Sequence, residues 1–262
     1  MAEHVVDLVI IGSGAGNTIP DDRFDDRTVA IIDKGQFDGA FGGTCLNVGC
    51  IPTKMFVQAA EVARSAREAS RLGVDAHVDQ VRWDDIRDRV FGRIDAISAG
   101  GRAYRERGSD DGNTTVFSGH ARFTGDRTLR VEGYDEEISG DQIVIAAGSR
   151  PVIPEVYANS GVKYYTNEDI MRMDHQPESL IVVGGGYIAM EFAHVFDGLG
   201  TEVTVVNRSE TLLRHLDDEL SSRFNQIARD RFDVRIANGT KLEKTDNGVR
   251  LELDDGESVE AE

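Results

Sequence analysis

The chain has 262 residues, 40% hydrophobic and 29% charged, with 28 glycines, two cysteines and a net charge of −18. That length suits one large or two ordinary domains, each with its own core. The acidic balance excludes a nucleic-acid or anionic-lipid surface. No apolar run approaches the roughly 20 residues of a membrane span, and two cysteines make no disulfide scaffold.

"VVDLVIIGSGAGN" opens with a strand, Val5 to Ile11, and a glycine turn. The run is short, broken by Asp7 and without a basic start, so no signal peptide is expected and the location reads as cytoplasmic. "RTVAIIDKG" predicts a second buried strand, Thr28 to Ile32, ending in Asp33; with the turn and a short helix this is a βαβ unit. From Pro52 to Leu72 the pattern is helical: Met55, Phe56, Ala59, Ala60 and Ala63 share a face and Gly73 ends it. Trp83, Ile86, Val90, Ile94 and Ile97 predict a second helix, broken or ended by Gly100-Gly101. Trp83 reads as packing.

Between Thr114 and Gly148 the period drops toward two, and "TTVFSGHARFTG", "TLRVEGY" and "EEISGDQIVIAAG" read as a meander returning to a buried sheet. "SRPVIP" is an extended linker. "LIVVGGGYIAMEFAHVFDGLGTEVTVVNR" is a second strand–glycine–helix–strand unit. Ile188, Phe192, Val195, Phe196 and Leu199 form the helix face, and Gly200 marks its end. "VRLELDDGESVEAE" reads as a hairpin arm and the start of a further segment, with no return strand.

Each glycine turn follows a strand and opens a helix, the context in which such a loop binds a dinucleotide. Gly12 makes the tight turn, Gly14 admits backbone to a pyrophosphate, and the helix N-terminus faces the phosphates. Gly16 completes the loop, with Asn17 where a third glycine is usual and Pro20 shortening the helix. Asp33, roughly 20 residues on, suits an adenosine ribose. In the second loop Gly184 and Gly186 do the same, and the small Ala189 permits close helix–strand packing. Its strand ends in Asn207 rather than an acid, with Arg208 and Arg214 following; two guanidiniums favour a 2′-phosphate, hence NADPH.

"GGTCLNVGCIPTK" holds both cysteines, Cys45 and Cys50. A zinc site needs about four ligands, and no histidine stands at ligand spacing; no metal is expected. A structural disulfide would close only a short loop, gaining little chain entropy, and would not persist in a reducing cytosol. A redox-active pair fits best. Cys45 reads as the start of a helix, whose positive end stabilises a thiolate.

Together with "GSGAGN", "IVIAAGSRP" and "GGGYIAMEFA", this stretch resembles the flavoprotein disulfide reductases, over essentially the whole chain. "NVGCIPTKMFV", "VRWDDI", "RVFGRID", "AAGSRPVIP" and "EFAHVF" look like the mycothione reductase branch, whose first helix also starts with "GN". The resemblance implies an α/β protein of two Rossmann-like, three-layer domains: FAD-binding with the redox disulfide over 1–150, and NADPH-binding, incomplete, over 151–262. It implies NADPH-dependent reduction of a low-molecular-weight disulfide, mycothiol disulfide above all, with dihydrolipoamide dehydrogenase as the alternative enzyme and a non-catalytic FAD-binding module as the alternative class.

By the same resemblance Cys50 faces the flavin and Cys45 attacks the substrate. Lys54 sits by the flavin N5 edge, a buried lysine paired with Glu191. Tyr187 covers the flavin until the nicotinamide displaces it. Ser13, Gly43, Thr44, Ala147 and Gly148 join the glycines and Asp33 around FAD, with Gly42 and Gly43 letting backbone approach the ring. The family's acid–base His–Glu pair comes from a partner subunit's C-terminal domain, so a homodimer of a longer protein is expected, with this chain an inactive fragment. No histidine here matches that motif; His194 reads as helix packing and His215 as surface.

Overall fold

The computed structural model describes residues 3–37, 39–107 and 113–262. In chain order the elements are β1 (Glu3–Ile11), β2 (Val29–Asp33), α1 (Gly43–Asn47), α2 (Cys50–Arg67), α3 (Trp83–Arg107), β3 (Thr114–Ser118), β4 (Ala121–Gly125), β5 (Thr128–Val131), β6 (Glu137–Ile145), α4 (Glu155–Ala158), β7 (Ser179–Val183), α5 (Tyr187–Leu199), β8 (Glu202–Asn207), α6 (Asp218–Arg231), β9 (Asp233–Ile236), β10 (Gly239–Thr245), β11 (Gly248–Leu253) and β12 (Ser258–Ala261). They form two compact units, residues 1–52 with 88–150, and residues 53–87 with 151–262. The chain passes between the units at Pro52/Thr53, Arg87/Asp88 and Arg150/Pro151.

The first unit is built on a sheet of order β3-β2-β1-β6-β5-β4. β1 is parallel to both β2 and β6, and β2 to β3, while β5 is antiparallel to β4 and β6. β1 is apolar on both faces because both are covered. Val9, Ala30, Ile32, Phe117 and Ile138 pack on one side, and Leu8, Ile10, Val29, Ile31 and Phe41 on the other. Only β4, β5 and β6 form the meander. β3, expected to begin it, instead extends the parallel layer beside β2, since Phe117 completes the apolar cluster there.

α3 runs through Gly100 and Gly101 rather than ending there. Two helical glycines cost about 1 kcal/mol each. Beyond them the Arg102–Glu106 pair, at 2.7 Å, and Arg105, donating to Asn17 Oδ1 at 2.8 Å, secure the last turns.

In the second unit β7, β8 and β9 make a parallel sheet and β10, β11 and β12 an antiparallel one. α5 buries Phe192, Ala193, Val195, Phe196 and Leu199. The exposed Ile188 lies outside that face. Trp83 stacks on Phe196 with ring centroids 5.5 Å apart, meets Phe56 at 5.3 Å, and donates Nε1–H to the Met173 carbonyl at 2.8 Å. This aromatic row ties 53–87 to the second unit, and Trp83 is packing, as expected. At Gly198 a Cβ would lie 2.8 Å from that of Ala60, so glycine lets α2 and α5 touch. Gly200, with φ at +105°, ends α5 as expected. The sequence pattern did not reveal α6, β9 and β10; α6 had a start signal in Asp217, whose carboxylate accepts from Glu219 N and Leu220 N.

Candidate functional site

Parallel strands β1, β2 and β6 end together at Ile11, Asp33 and Ile145, and a crevice outside such carboxyl ends is where open α/β sheets bind ligands. Gly12 donates its N–H to the Ile32 carbonyl at 2.8 Å and sits at φ +108°. A Cβ there would lie 2.2 Å from the Ala146 carbonyl oxygen, so Gly12 is obligatory. Gly16 is closed in by Ala146 and Ile10, whereas Gly148 faces open space. Both Asp33 oxygens accept backbone amides, from Ser13 at 2.6 Å and Gly35 at 2.5 Å. The turn leads into a four-residue 3₁₀ segment, Ala15–Thr18, not an α-helix. The helix expected after the glycine turn is therefore not formed there.

The cysteine stretch departs from expectation in two respects. Cys45 does not open the long helix: it is the third residue of the five-residue α1, and Cys50 is the residue that begins α2. Gly49 allows the break between them, since a Cβ there would lie 2.8 Å from the Thr44 carbonyl oxygen. Second, the Cys45 thiol is raised above its ordinary value, not lowered. The hydrogen bond to the Cys50 side chain contributes most, then desolvation at the contact, then the charge of Cys50. Gly43, with φ at +72°, also makes a contact within the protein: a Cβ would lie 2.5 Å from Gly14 Cα, so two glycine loops meet backbone to backbone. Both thiols are free and exposed, as is Thr44. Ser13 is buried, and its Oγ accepts from Gly42 N at 2.8 Å. Its side chain thus supports the cysteine turn rather than facing outward. Ala147 and Gly148 are exposed just past β6.

In the second unit Lys54 and Glu191 form the ion pair that the family resemblance implies. The lysine is not buried: 59% of its side chain is exposed. The pair is therefore screened by solvent and contributes little to stability. Tyr187, first residue of α5, is 71% exposed. Lys54, Glu191 and Tyr187 line a 340 Å³ cleft with His194, Arg231 and the apolar Phe224 and Ile227. His194 does more than pack: Arg231 Nη1 donates to its Nδ1 at 3.0 Å and its Nε2 lies 2.9 Å from Glu61. Arginine only donates, so the imidazole proton sits on Nε2. Burial and the Arg231 charge hold its pKa below the ordinary value, against the opposing pull of Glu61.

Gly184 is at φ +121°, and its N–H reaches the Val206 carbonyl at 2.9 Å. Gly186 faces open space, while Gly185, which carried no signal in the sequence, is the sterically required residue: a Cβ would lie 2.8 Å from the Asn207 side chain. Asn207 is turned inward, its Nδ2 donating to Ser209 O at 2.6 Å. Leu213, at φ +53°, donates to the Gly185 carbonyl at 2.8 Å, which brings Arg214 to the glycine loop. Arg208 and Arg214 are exposed and in no ion pair among the described residues; Arg214 Nε approaches His215, itself exposed, at 3.4 Å. Among the described residues no group of three or more His, Cys, Asp or Glu side chains could hold a metal, and no helix is long and apolar enough to cross a membrane.

The family described as pyridine nucleotide-disulphide oxidoreductase matches residues 6–262. Mycothione reductase of Mycobacterium tuberculosis is 49% identical, over 98% of this chain and 55% of that protein. Dihydrolipoyl dehydrogenase of Bacillus subtilis is 30% identical, over 97% and 56%. Among solved structures, the HOCl-induced flavoprotein disulfide reductase RclA of Escherichia coli superposes with a TM-score of 0.80 at 26% identity, over 97% of this chain and 54% of that one. The chain thus spans about half the length of the relatives it matches.

Proposed function

Since the chain belongs to the pyridine nucleotide-disulphide oxidoreductase family, we propose that it is the nucleotide-binding and redox part of an NADPH-dependent flavoprotein that reduces mycothiol disulfide. The observation that carries the reading is the placement of two free, exposed thiols, Cys45 on α1 and Cys50 at the start of α2, on either side of a glycine-permitted helix break. The first unit fits FAD: Gly148 faces open space past β6, and Asp33 keeps lone pairs for ribose hydroxyls beyond its two amide donors. When bound, FAD supplies the two-electron relay between NADPH and the cysteine pair.

In this reading Cys50, at the start of α2, faces the flavin, and Cys45 attacks the substrate disulfide as thiolate. The neighbouring Cys50 raises the Cys45 thiol above its ordinary value. Lys54, oriented by Glu191, places its cation at the flavin edge, and the exposed Tyr187 is free to swing aside for the nicotinamide. Arg208 and Arg214 hold the 2′-phosphate, supported by an Asn207 that offers no carboxylate to a ribose. The full-length protein is read as a cytoplasmic homodimer whose partner supplies the acid–base pair, and the chain alone as inactive.

Anaerobic titration of the full-length protein with NADPH tests the reading. A long-wavelength thiolate–flavin band is expected, and its absence overturns the redox role of the pair. Replacing Arg208 and Arg214 by alanine should raise KM for NADPH about 10-fold, on the order of 1.4 kcal/mol, with NADH turnover unchanged. A parent that prefers NADH points to a dihydrolipoyl dehydrogenase instead. Turnover against mycothiol disulfide, glutathione disulfide, lipoamide and bis-γ-glutamylcystine decides the substrate.

A further inference from the structure

The backbone leading into Cys45 is gripped from within the first unit by buried polar side chains, two of which carry no signal in the sequence pattern. Asn47 is fully buried, and its Nδ2 donates to the Phe41 carbonyl at 3.0 Å and the Gly43 carbonyl at 2.9 Å. Ser98, buried on α3, donates its hydroxyl to the same Phe41 carbonyl at 2.7 Å and accepts from Phe41 N at 2.8 Å. Two donors thus use both lone pairs of one carbonyl oxygen. The Asn47 Oδ1 is also buried and accepts no hydrogen bond among the described residues. A half-satisfied buried amide is less favourable than an apolar side chain of equal volume. What Asn47 contributes is therefore its pair of donors, aimed at the turn that carries the thiols.

We infer that Asn47 and Ser98 are positioning residues for the Cys45–Cys50 pair: their shared hold on the Phe41 carbonyl fixes the turn that carries the two thiols. The inference rests on the redox reading of that pair. Forming the disulfide joins the two sulfurs and passes two electrons and two protons to an oxidant. In the test the oxidant is the cyclic disulfide of oxidised dithiothreitol, which opens to the dithiol. Sulfurs held together have a high effective concentration toward each other. Loosening the turn lowers it and shifts the equilibrium toward the dithiol.

The experiment equilibrates the flavin-loaded full-length protein and its Asn47→Ala, Ser98→Ala and double variants in dithiothreitol redox buffers. Free Cys45 and Cys50 are counted by alkylation and mass. Each single variant should shift the equilibrium at least threefold toward the dithiol, with flavin content and circular dichroism unchanged. The double variant should shift it by less than the product of the singles, because both act on one carbonyl. A folded, flavin-loaded Ser98→Ala within twofold of the parent overturns the inference, and this variant decides alone if Asn47→Ala does not fold. A parent that forms no Cys45–Cys50 disulfide in any buffer overturns the redox reading itself, and the positioning roles fall with it.

Discussion

Replacing Gly43 by alanine should disrupt the first unit more than any substitution with the same small change in volume at a roomy site. Gly43 sits at φ +72°, where an L-residue costs about 1–2 kcal/mol. The new Cβ would also lie 2.5 Å from Gly14 Cα and 3.1 Å from Gly14 N. Both are backbone atoms of a loop already pinned by the Gly12–Ile32 bond, so relief requires prising the two glycine loops apart. Overpacking of that kind costs about 1–3 kcal/mol. The total, on the order of 2–5 kcal/mol, is a large share of a typical net stability of about 5–15 kcal/mol. Near 3–5 °C per kcal/mol for a unit of this size, Tm should fall by about 6–25 °C. Two glycines of the same unit isolate the causes. Gly133, at φ +89° with open space where a Cβ would stand, should lose only the backbone share on going to alanine. Gly92, inside α3 at an ordinary φ with open space around it, should gain about 0.5–1 kcal/mol. Thermal melts followed by far-UV circular dichroism read all three. A Gly43→Ala variant melting within 2 °C of a Gly133→Ala variant, a difference below about 1 kcal/mol, refutes the contact argument.

Alkylation of Cys45 by iodoacetamide in the reduced protein should show a pH midpoint above that of a free thiol, and Cys50→Ala should bring it down by removing the main cause. An unmoved midpoint removes Cys50 as that cause. His194 is held neutral in the fold, so its contribution to stability is present above the ordinary histidine pKa and lost as pH falls below it. Melting of the second unit should weaken between about pH 7 and 5. His194→Gln should flatten that slope; the charged groups facing His194 are Glu61 and Arg64 on α2, Asp197 on α5 and Arg231 on α6. Glu191→Gln should slow flavin reduction by NADPH about 10-fold while moving Tm little, since the Lys54–Glu191 pair is solvent-screened. A large Tm loss with unchanged reduction rate would mean the pair is structural.

The chain itself determined whatever short-range chemistry dictates. Apolar runs ending in glycine turns placed β1, β2, β7, α5 and β8. The positive φ of Gly12, Gly73, Gly184 and Gly200 follows from residues able to adopt it. The pairing of Lys54 with Glu191 was legible through resemblance to a family. Tertiary structure decided what depends on surfaces distant in sequence. β3 joins the parallel layer because Phe117 has a cluster to fill, and α3 survives Gly100-Gly101 because Arg105 reaches Asn17. Residues 53–87 follow an aromatic row rather than chain order. The same limit applies at the site. Periodicity does not reveal that Gly43 must meet Gly14, that Asn207 turns inward, or that Ser98 and Asn47 converge on one carbonyl. Each is a contact between backbone or buried polar groups, whose energy depends on a few tenths of an ångström that only the folded chain sets.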